Sequence, residues 1–297
     1  MGQMTAINQK IANLPDDQKK EILDLLYELE EAKSKEESRT DFLTFVNKMW
    51  PSFIAGRHHA IMADAFERVA KGELKRLIVN MPTRHTESEF ASDLCPAWFL
   101  GRYPEKKIIQ TAHTAELAVG FGRKVRNLIN QEDFQSVFPG ISLSSDSKAA
   151  GRWNTNERGD YFAIGVGGAV TGKGADVLII DDPHSEQEAA LGAYNPEVYD
   201  KVYEWYTSGP RQRLQPGGAI IVVMTRWSVR DLTGQIMKSA TQREGADDWE
   251  IIEFPAIMPS GDPLWPEFWP LEQLESLRAE LPLSAWSAQY QQDPTSE

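Results

Sequence analysis

Apolar positions along the chain follow two rhythms. Short runs rich in β-branched residues recur at Leu77-Ile78-Val79, Lys107 to Ala112, Tyr161 to Val166, Val177 to Ile180, Ala219 to Met224 and in EIIEFPAI after Trp249. Continuous apolar runs of this length predict strands buried on both faces, the signature of a parallel sheet. Between them, apolar residues spaced three and four apart predict helices. One carries Phe42, Phe45, Val46 and Met49, is capped by Thr40-Asp41 and is stopped by Pro51. Others run from Ala60 to Ala70, from a Thr114 cap through Val119, Val125, Leu128 and Ile129, and over Ser228 to Met237. Leu271 to Tyr290 reads as two short helices separated by Pro282, Glu132 to Ser147 as connection, and Gly151 to Asn156 as a short strand or turn. The alternation predicts an α/β fold with a mainly parallel central sheet flanked by helices.

Residues 1–39 stand apart as an appendage. Leu14-Pro15-Asp16-Asp17 offers a helix start, Ile22, Leu23, Leu25, Leu26 and Leu29 give an apolar stripe, and EEAKSKEES follows, so a helical hairpin or arm with a solvated tail is expected. It either packs on its own domain or binds a partner. Residues 40–290 form the main domain, and 291–297 read as a polar linker cut short.

Composition narrows the class. With 297 residues and 41% hydrophobic content the chain can bury one large core or two modest ones. No apolar run approaches the roughly 20 residues of a membrane span, and no signal-peptide core precedes the domain. The lone Cys95 excludes a disulfide framework and suits a reducing cytoplasm. A net charge of -13 argues against a surface basic all over, while Arg123, Lys124 and Arg126 on one helix, and Arg211, Arg213, Arg226 and Arg230 further on, leave room for a local basic face or for an ordinary solvated one.

The stretch RLIVNMPTRHTESEFAS is a strand, a Pro-containing turn and a helix start. Such a junction aims backbone N–H groups and the positive end of a helix dipole at one spot. Against the phosphate-loop pattern G-x-x-x-x-G-K-[ST], Met81 to Ser88 keeps the spacing and the terminal hydroxyl but loses both glycines and the lysine. Pro82, Thr83, Arg84, His85, Thr86, Glu87 and Ser88 are the candidate phosphate contacts; an ordinary βα turn is the plain reading of the same pattern. A unit charge about 4 Å away at an effective dielectric near 20 is worth roughly 4 kcal/mol, so Glu87 in place of lysine bears heavily on nucleotide binding.

Two later strand ends carry matching chemistry. Asp181 and Asp182 close the apolar run from Val177, where open α/β sheets bind ligands. Asp181 suits magnesium, directly or through water, and Asp182 suits orienting and deprotonating an attacking water. Thr225 and Arg226 follow Met224, where a hydroxyl and a guanidinium can sense a γ-phosphate, or merely cap a helix. Upstream, the aromatic-rich segment ending in His58 and His59 lies where nucleotide motors hold adenine, although a His pair at a helix start also serves as a cap.

Six stretches in this order, FIAGRHHAIMADAFERVA, MPTRHTESEFAS, QTAHTAELAVGFGRKVR, TGKGADVLIIDDPH, VVMTRWSVRDLTG and LPLSAWSAQYQQDP, resemble the large terminase subunit of tailed bacteriophages, specifically its N-terminal ATPase domain, over about Thr40 to Pro294. The resemblance implies a P-loop NTPase fold of the ASCE type, ATP and Mg2+ as cofactors, and ATP-driven pumping of double-stranded DNA into a capsid. It implies partners: the portal protein, the small terminase subunit, and further copies in a homo-oligomeric ring, expected as a pentamer on the capsid and a monomer in isolation. It places the protein in the host cytoplasm and transiently at the procapsid portal vertex, with no membrane and, since the chain ends where a nuclease would begin, no nuclease activity. Roles carry over as Arg84 to Ser88 cradling phosphates, Ser88 and Asp181 holding Mg2+, Asp182 positioning water, Lys173 offered to a neighbouring subunit's nucleotide, and Thr225 and Arg226 coupling. Relatives carry lysine where Glu87 stands. An engineered Lys-to-Glu change that blocks hydrolysis is the most economical account; natural divergence or compensation by Arg84 are the others. A hydrolysis-defective binding module and a helicase-like ATPase are the alternative functions.

Overall fold

The computed structural model describes residues 15–146, 149–192 and 194–294. Seven strands form one sheet in the order β3-β4-β2-β5-β6-β1-β7. They are β1 (Arg76–Asn80), β2 (Lys107–Ala112), β3 (Arg152–Asn154), β4 (Asp160–Gly165), β5 (Ala175–Asp181), β6 (Leu214–Met224) and β7 (Glu250–Glu253). All neighbours pair in parallel except the edge strand β3, which runs antiparallel to β4. The helices are α1 (Asp16–Thr40), α2 (Phe42–Met49), α3 (Arg57–Lys71), α4 (Cys95–Arg102), α5 (Ala115–Ile129), α6 (Glu132–Val137), α7 (Glu186–Gly192), α8 (Glu197–Ser208), α9 (Leu232–Gln242), α10 (Leu271–Glu280) and α11 (Leu283–Ala285). The α/β class and the mainly parallel sheet expected from the apolar runs are the observed ones.

Period-2 alternation divides the core between the two faces of the sheet. Leu77, Val79, Ile221 and Val223 point to one face, where they join Phe42, Phe45, Phe66, Phe90, Trp98 and Val125 from the helices. Ile78, Ile220, Val222 and Met224 point to the other and meet Tyr206, Leu232 and Ile236. Phe42 anchors the first layer, with its ring centroid 5.3 to 5.7 Å from those of Trp98, Phe90 and Phe66. Each such fully buried side chain contributes about 1.5–3 kcal/mol of transfer free energy. Because both faces are covered, the polar ends of the strands are the places where functional groups reach solvent.

Several boundaries differ from the sequence reading for local reasons. The helix expected over Ser228 to Met237 starts at Leu232, since the Asp231 carboxylate accepts from the Gly234 N–H and ends the preceding turn. Thr40 closes α1 instead of capping α2; Asp41 alone caps, accepting from Thr44 N at 2.6 Å. The stretch assigned to connection contains α6, whose only buried residues are Phe134 and Val137. Residues 16–40 form one continuous helix that includes the charged run. Its C-terminal end is fixed by Trp98 Nε1 donating to Ser38 O and Arg39 Nε donating to Val137 O. The first leg of the expected hairpin lies outside the described residues. Nor is the segment after 290 unpacked: Gln292 is buried and Gln291 makes two bonds to the Ile257 backbone, while residues 295–297 lie outside the described set.

Candidate functional site

The loop after β1 is held open by its own interior. Arg84 and Thr86 adopt left-handed backbone conformations, φ 63° and 70°, and Thr86 does so where the phosphate-loop pattern has glycine. A β-branched residue there is strained by about 1–2 kcal/mol, so it needs fixing. His59 supplies this. Its Nδ1 accepts from Gly56 N at 2.7 Å, which leaves Nε2–H to donate to Thr86 Oγ1 at 2.6 Å. His58 donates from Nε2 to His85 O, and His85 donates from Nδ1 to Thr83 O. All three rings are fully buried, and burial holds them neutral, near 4 for His58 and His85 and near 2 for His59. His58 and His59 thus brace the loop from behind, with no exposed ring face for a base.

Beyond the loop, the expected helix opens with Glu87 and Ser88 and continues as a π-helical turn, Glu89–Leu94. This register sets Ser88 and Ser92 on the same carboxylate. Ser88 Oγ donates to Asp181 Oδ1 at 2.9 Å, Ser92 Oγ donates to Oδ2, and Gln110 Nε2 donates to Ser92 Oγ. Burial, and next the charge of Asp182, raise Asp181 well above the ordinary carboxylate range. Asp182 has φ 36°; its carboxylate accepts from Thr225 N, and burial pushes it up to about 6. Thr225 Oγ1 in turn donates to Met81 O at 3.1 Å. The loop and the ends of β5 and β6 are therefore stitched together at one edge of the sheet.

Glu87 sits inside this knot, only 8% exposed, and its Oε2 accepts from His85 N. Burial, with the Asp182 charge adding to it, pushes its carboxyl up to about 8. Beside it opens a crevice of about 330 Å³ whose walls include Trp50, Ile54, Arg84, Ser88, Trp265 and Phe268. Arg84 is exposed there. Arg84, Thr86, Glu87 and Ser88 line this crevice, whereas Asp181, 1% exposed, lies behind Ser88, and neither it, Asp182 nor Thr225 forms part of the walls. Ser88 Oγ and the Asp181 carboxylate, 2.9 Å apart, are the hydroxyl and acid that would hold a divalent cation. Among the described residues no group of three or more His, Cys, Asp or Glu forms a metal site on its own, so a cation there would take its remaining ligands from water or a bound molecule.

The crystal structure of the large terminase of bacteriophage HK97 superimposes with a TM-score of 0.55 at 10% identity, covering 86% of this chain and 55% of that one. The chain has the fold of a phage large terminase. It spans about half the length of that protein. A large terminase ATPase domain from Thermus phage P74-26 also aligns, with a TM-score of 0.47, 16% identity and coverage of 78% and 93%. No family model and no curated protein sequence matches.

Within the terminase fold, two expected residues are engaged elsewhere in the chain. Lys173 pairs with Asp160 at 2.7 Å and lies over the Phe162 ring, at the edge of the sheet opposite the loop. Arg226 is 5% exposed and bound to Asp231 and Glu253, so it belongs to the interior and not to a basic face. Sequence reasoning passed over Ser92, Gln110, Asp231, Trp265, Trp269 and Gln292. Trp269 Nε1 donates to Arg84 O, and Gln292 Oε1 accepts from Arg226 N, so the C-terminal segment reaches both the loop and the β6 end. Ser92 alone had a signal, its spacing of four from Ser88. No helix among the described residues is long and apolar enough to cross a membrane.

Proposed function

We propose that the chain is the ATPase motor domain of a DNA-packaging terminase with its hydrolytic step impaired by Glu87. One arrangement supports this reading above the rest: a phosphate-loop hydroxyl bonded to the first of two carboxylates at the end of β5, with the second carboxylate tied to β6, at the C-terminal edge of the sheet. Backbone amides of Arg84 to Ser88 would cradle the phosphates, and Arg84 offers the exposed cation of the loop. Ser88 and Asp181 would hold Mg2+, which when bound neutralises charge on the phosphates. Asp182, near 6 and so mostly ionised at neutral pH, orients a water and takes its proton as the water oxygen bonds to the γ-phosphorus and the bond to the β-phosphate oxygen breaks, yielding ADP and phosphate. Thr225, bonded to both Met81 and Asp182, registers the loss of the γ-phosphate. With a carboxyl near 8, Glu87 is largely protonated at neutral pH, so it repels phosphate less than a fixed anion would; what it lacks is the lysine's cation.

Double-stranded DNA, the portal, the small terminase subunit and a ring of like subunits in the host cytoplasm belong to the same proposal, as does a trans-acting cation; Lys173 would have to leave Asp160 to serve as one. Glu87→Lys tests the reading. ATP affinity measured by calorimetry should rise by more than tenfold, and hydrolysis should appear, slow in the monomer. An unchanged affinity in a folded Glu87→Lys protein would falsify the nucleotide assignment and leave a partner-binding module.

A further inference from the structure

Helix α9 is fastened at its N-terminus to both catalytic strand ends. Asp231, fully buried, accepts from Arg226 Nε and from the Trp227, Ser228 and Gly234 amides, and His184, just after β5, accepts from Leu232 N at 2.9 Å. Eleven residues carry the helix roughly 16 Å away from that anchor. Its far half faces α8 across an open groove of about 680 Å³. Arg230, Lys238 and Arg243 supply three cations to the groove, Gln242 adds an amide donor while Gln235 Nε2 donates to Arg230 O, and Asp200 is the one acid. Lys238 and Arg243 are exposed and engage no carboxylate among the described residues, and Arg230 is shared only with the half-exposed Asp200.

An excess of cations here runs against a chain with 44 acids and 31 bases. On α5, the rival basic stretch, Lys124 pairs with Asp93 at 2.8 Å and Arg123 is exposed, so Arg123 serves as the control for that face. We propose that the groove between α8 and α9 binds the sugar–phosphate backbone of duplex DNA, with Lys238 and Arg243 as the main phosphate contacts. This rests on the packaging-motor reading and goes beyond it by naming the surface. Charged and amide donors in one groove suit phosphate oxygens, and contacts of that kind carry no base sequence. An acidic face of a second copy is the rival occupant. Duplex DNA is favoured because Lys238 lies on, and Arg243 caps the far end of, the helix that the β5 and β6 ends hold, where a grip would follow their movement.

Fluorescence anisotropy with a 30-base-pair duplex of arbitrary sequence, without nucleotide and across a salt series, tests the groove. The Lys238→Glu/Arg243→Glu protein should bind at least tenfold more weakly than the parent, with a log–log salt slope smaller by about 2, while Lys238→Arg/Arg243→Lys keeps affinity within about threefold. Arg123→Glu on α5 should stay within twofold of the parent. Equal binding by parent and double reversal, an equal loss in Arg123→Glu, or no duplex binding by the parent at low salt would each overturn the proposal. So would a double reversal that alters sedimentation mass and not duplex affinity, which would assign the groove to a second copy. Since no nucleotide is present, a failed Glu87→Lys experiment and a failed groove experiment are separable.

Discussion

Replacing Glu87 by glutamine should change how stability depends on pH and do little else. The substitution keeps the shape and the oxygen that accepts from His85 N but removes the proton. In the unfolded chain this carboxyl titrates near 4.5; in the fold, burial and Asp182 raise it to about 8. Below pH 4.5 it is protonated in both states and contributes no pH dependence. Between those values the folded protein keeps a proton that the unfolded chain releases, so stability falls as pH rises, by about 1.4 kcal/mol per pH unit and roughly 5 kcal/mol over the whole window. Urea unfolding at pH 5.5, 7 and 8.5 reads this directly. The Glu87→Gln curve should gain on the parent at each step and exceed it by several kcal/mol more at pH 8.5 than at pH 5.5. Two curves that stay parallel across that range would show that Glu87 is ionised in the native state, and the account of a neutral acid inside the loop would fall.

The other predictions read separate parts of the knot. Acidification should destabilise the fold from the opposite side: His58, His85 and His184 are held neutral to about 4, so each withholds a proton that the unfolded chain takes up near 6.5, and about 3 kcal/mol each is lost as pH falls through that window, visible as a falling thermal midpoint below pH 6. Ser92→Ala strips a buried donor from Asp181 and the acceptor of Gln110, and should cost about 1–3 kcal/mol in urea. Gly165→Ala should be worse, because its Cβ would lie 2.4 Å from Ala115 N at the start of α5; loss of the folded near-ultraviolet signal at 37 °C checks it. Gln292→Ala should speed amide exchange at Arg226 at least tenfold while leaving exchange in the β2 strand unchanged.

Strands and their ends were legible because a two-sided buried sheet writes continuous apolar runs, and because Asn80, Asp181-Asp182 and Thr225 stop those runs abruptly. The Thr114 cap was legible for a similar reason: it accepts from Leu117 N, a contact three residues away. Interactions distant in sequence were not. Nothing local in Asp231 shows that it will hold Arg226, and nothing in Gln292 shows that it will be buried against Arg226, 66 residues earlier and just past the end of β6. The π-helical turn escaped because periodicity at 3.6 residues is what marks a helix in sequence, and one turn at a different pitch leaves that pattern almost unchanged. His58 and His59 looked like ligands or caps; His59 does cap, through Gly56, but only packing against Phe90 and Trp265 shows why both turn inward.

Thr86 shows what a turn with phosphate-loop spacing entails when it is built without glycine. Glycine would leave this turn free to sample many shapes and to settle only around a ligand. Here a hydroxyl pinned by His59 and a backbone forced to φ 70° commit the turn beforehand. Ligand-free and ligand-bound loops should then be nearly superimposable, so association carries little ordering penalty, and selectivity rests on rejecting anions whose shape does not suit a rigid mould.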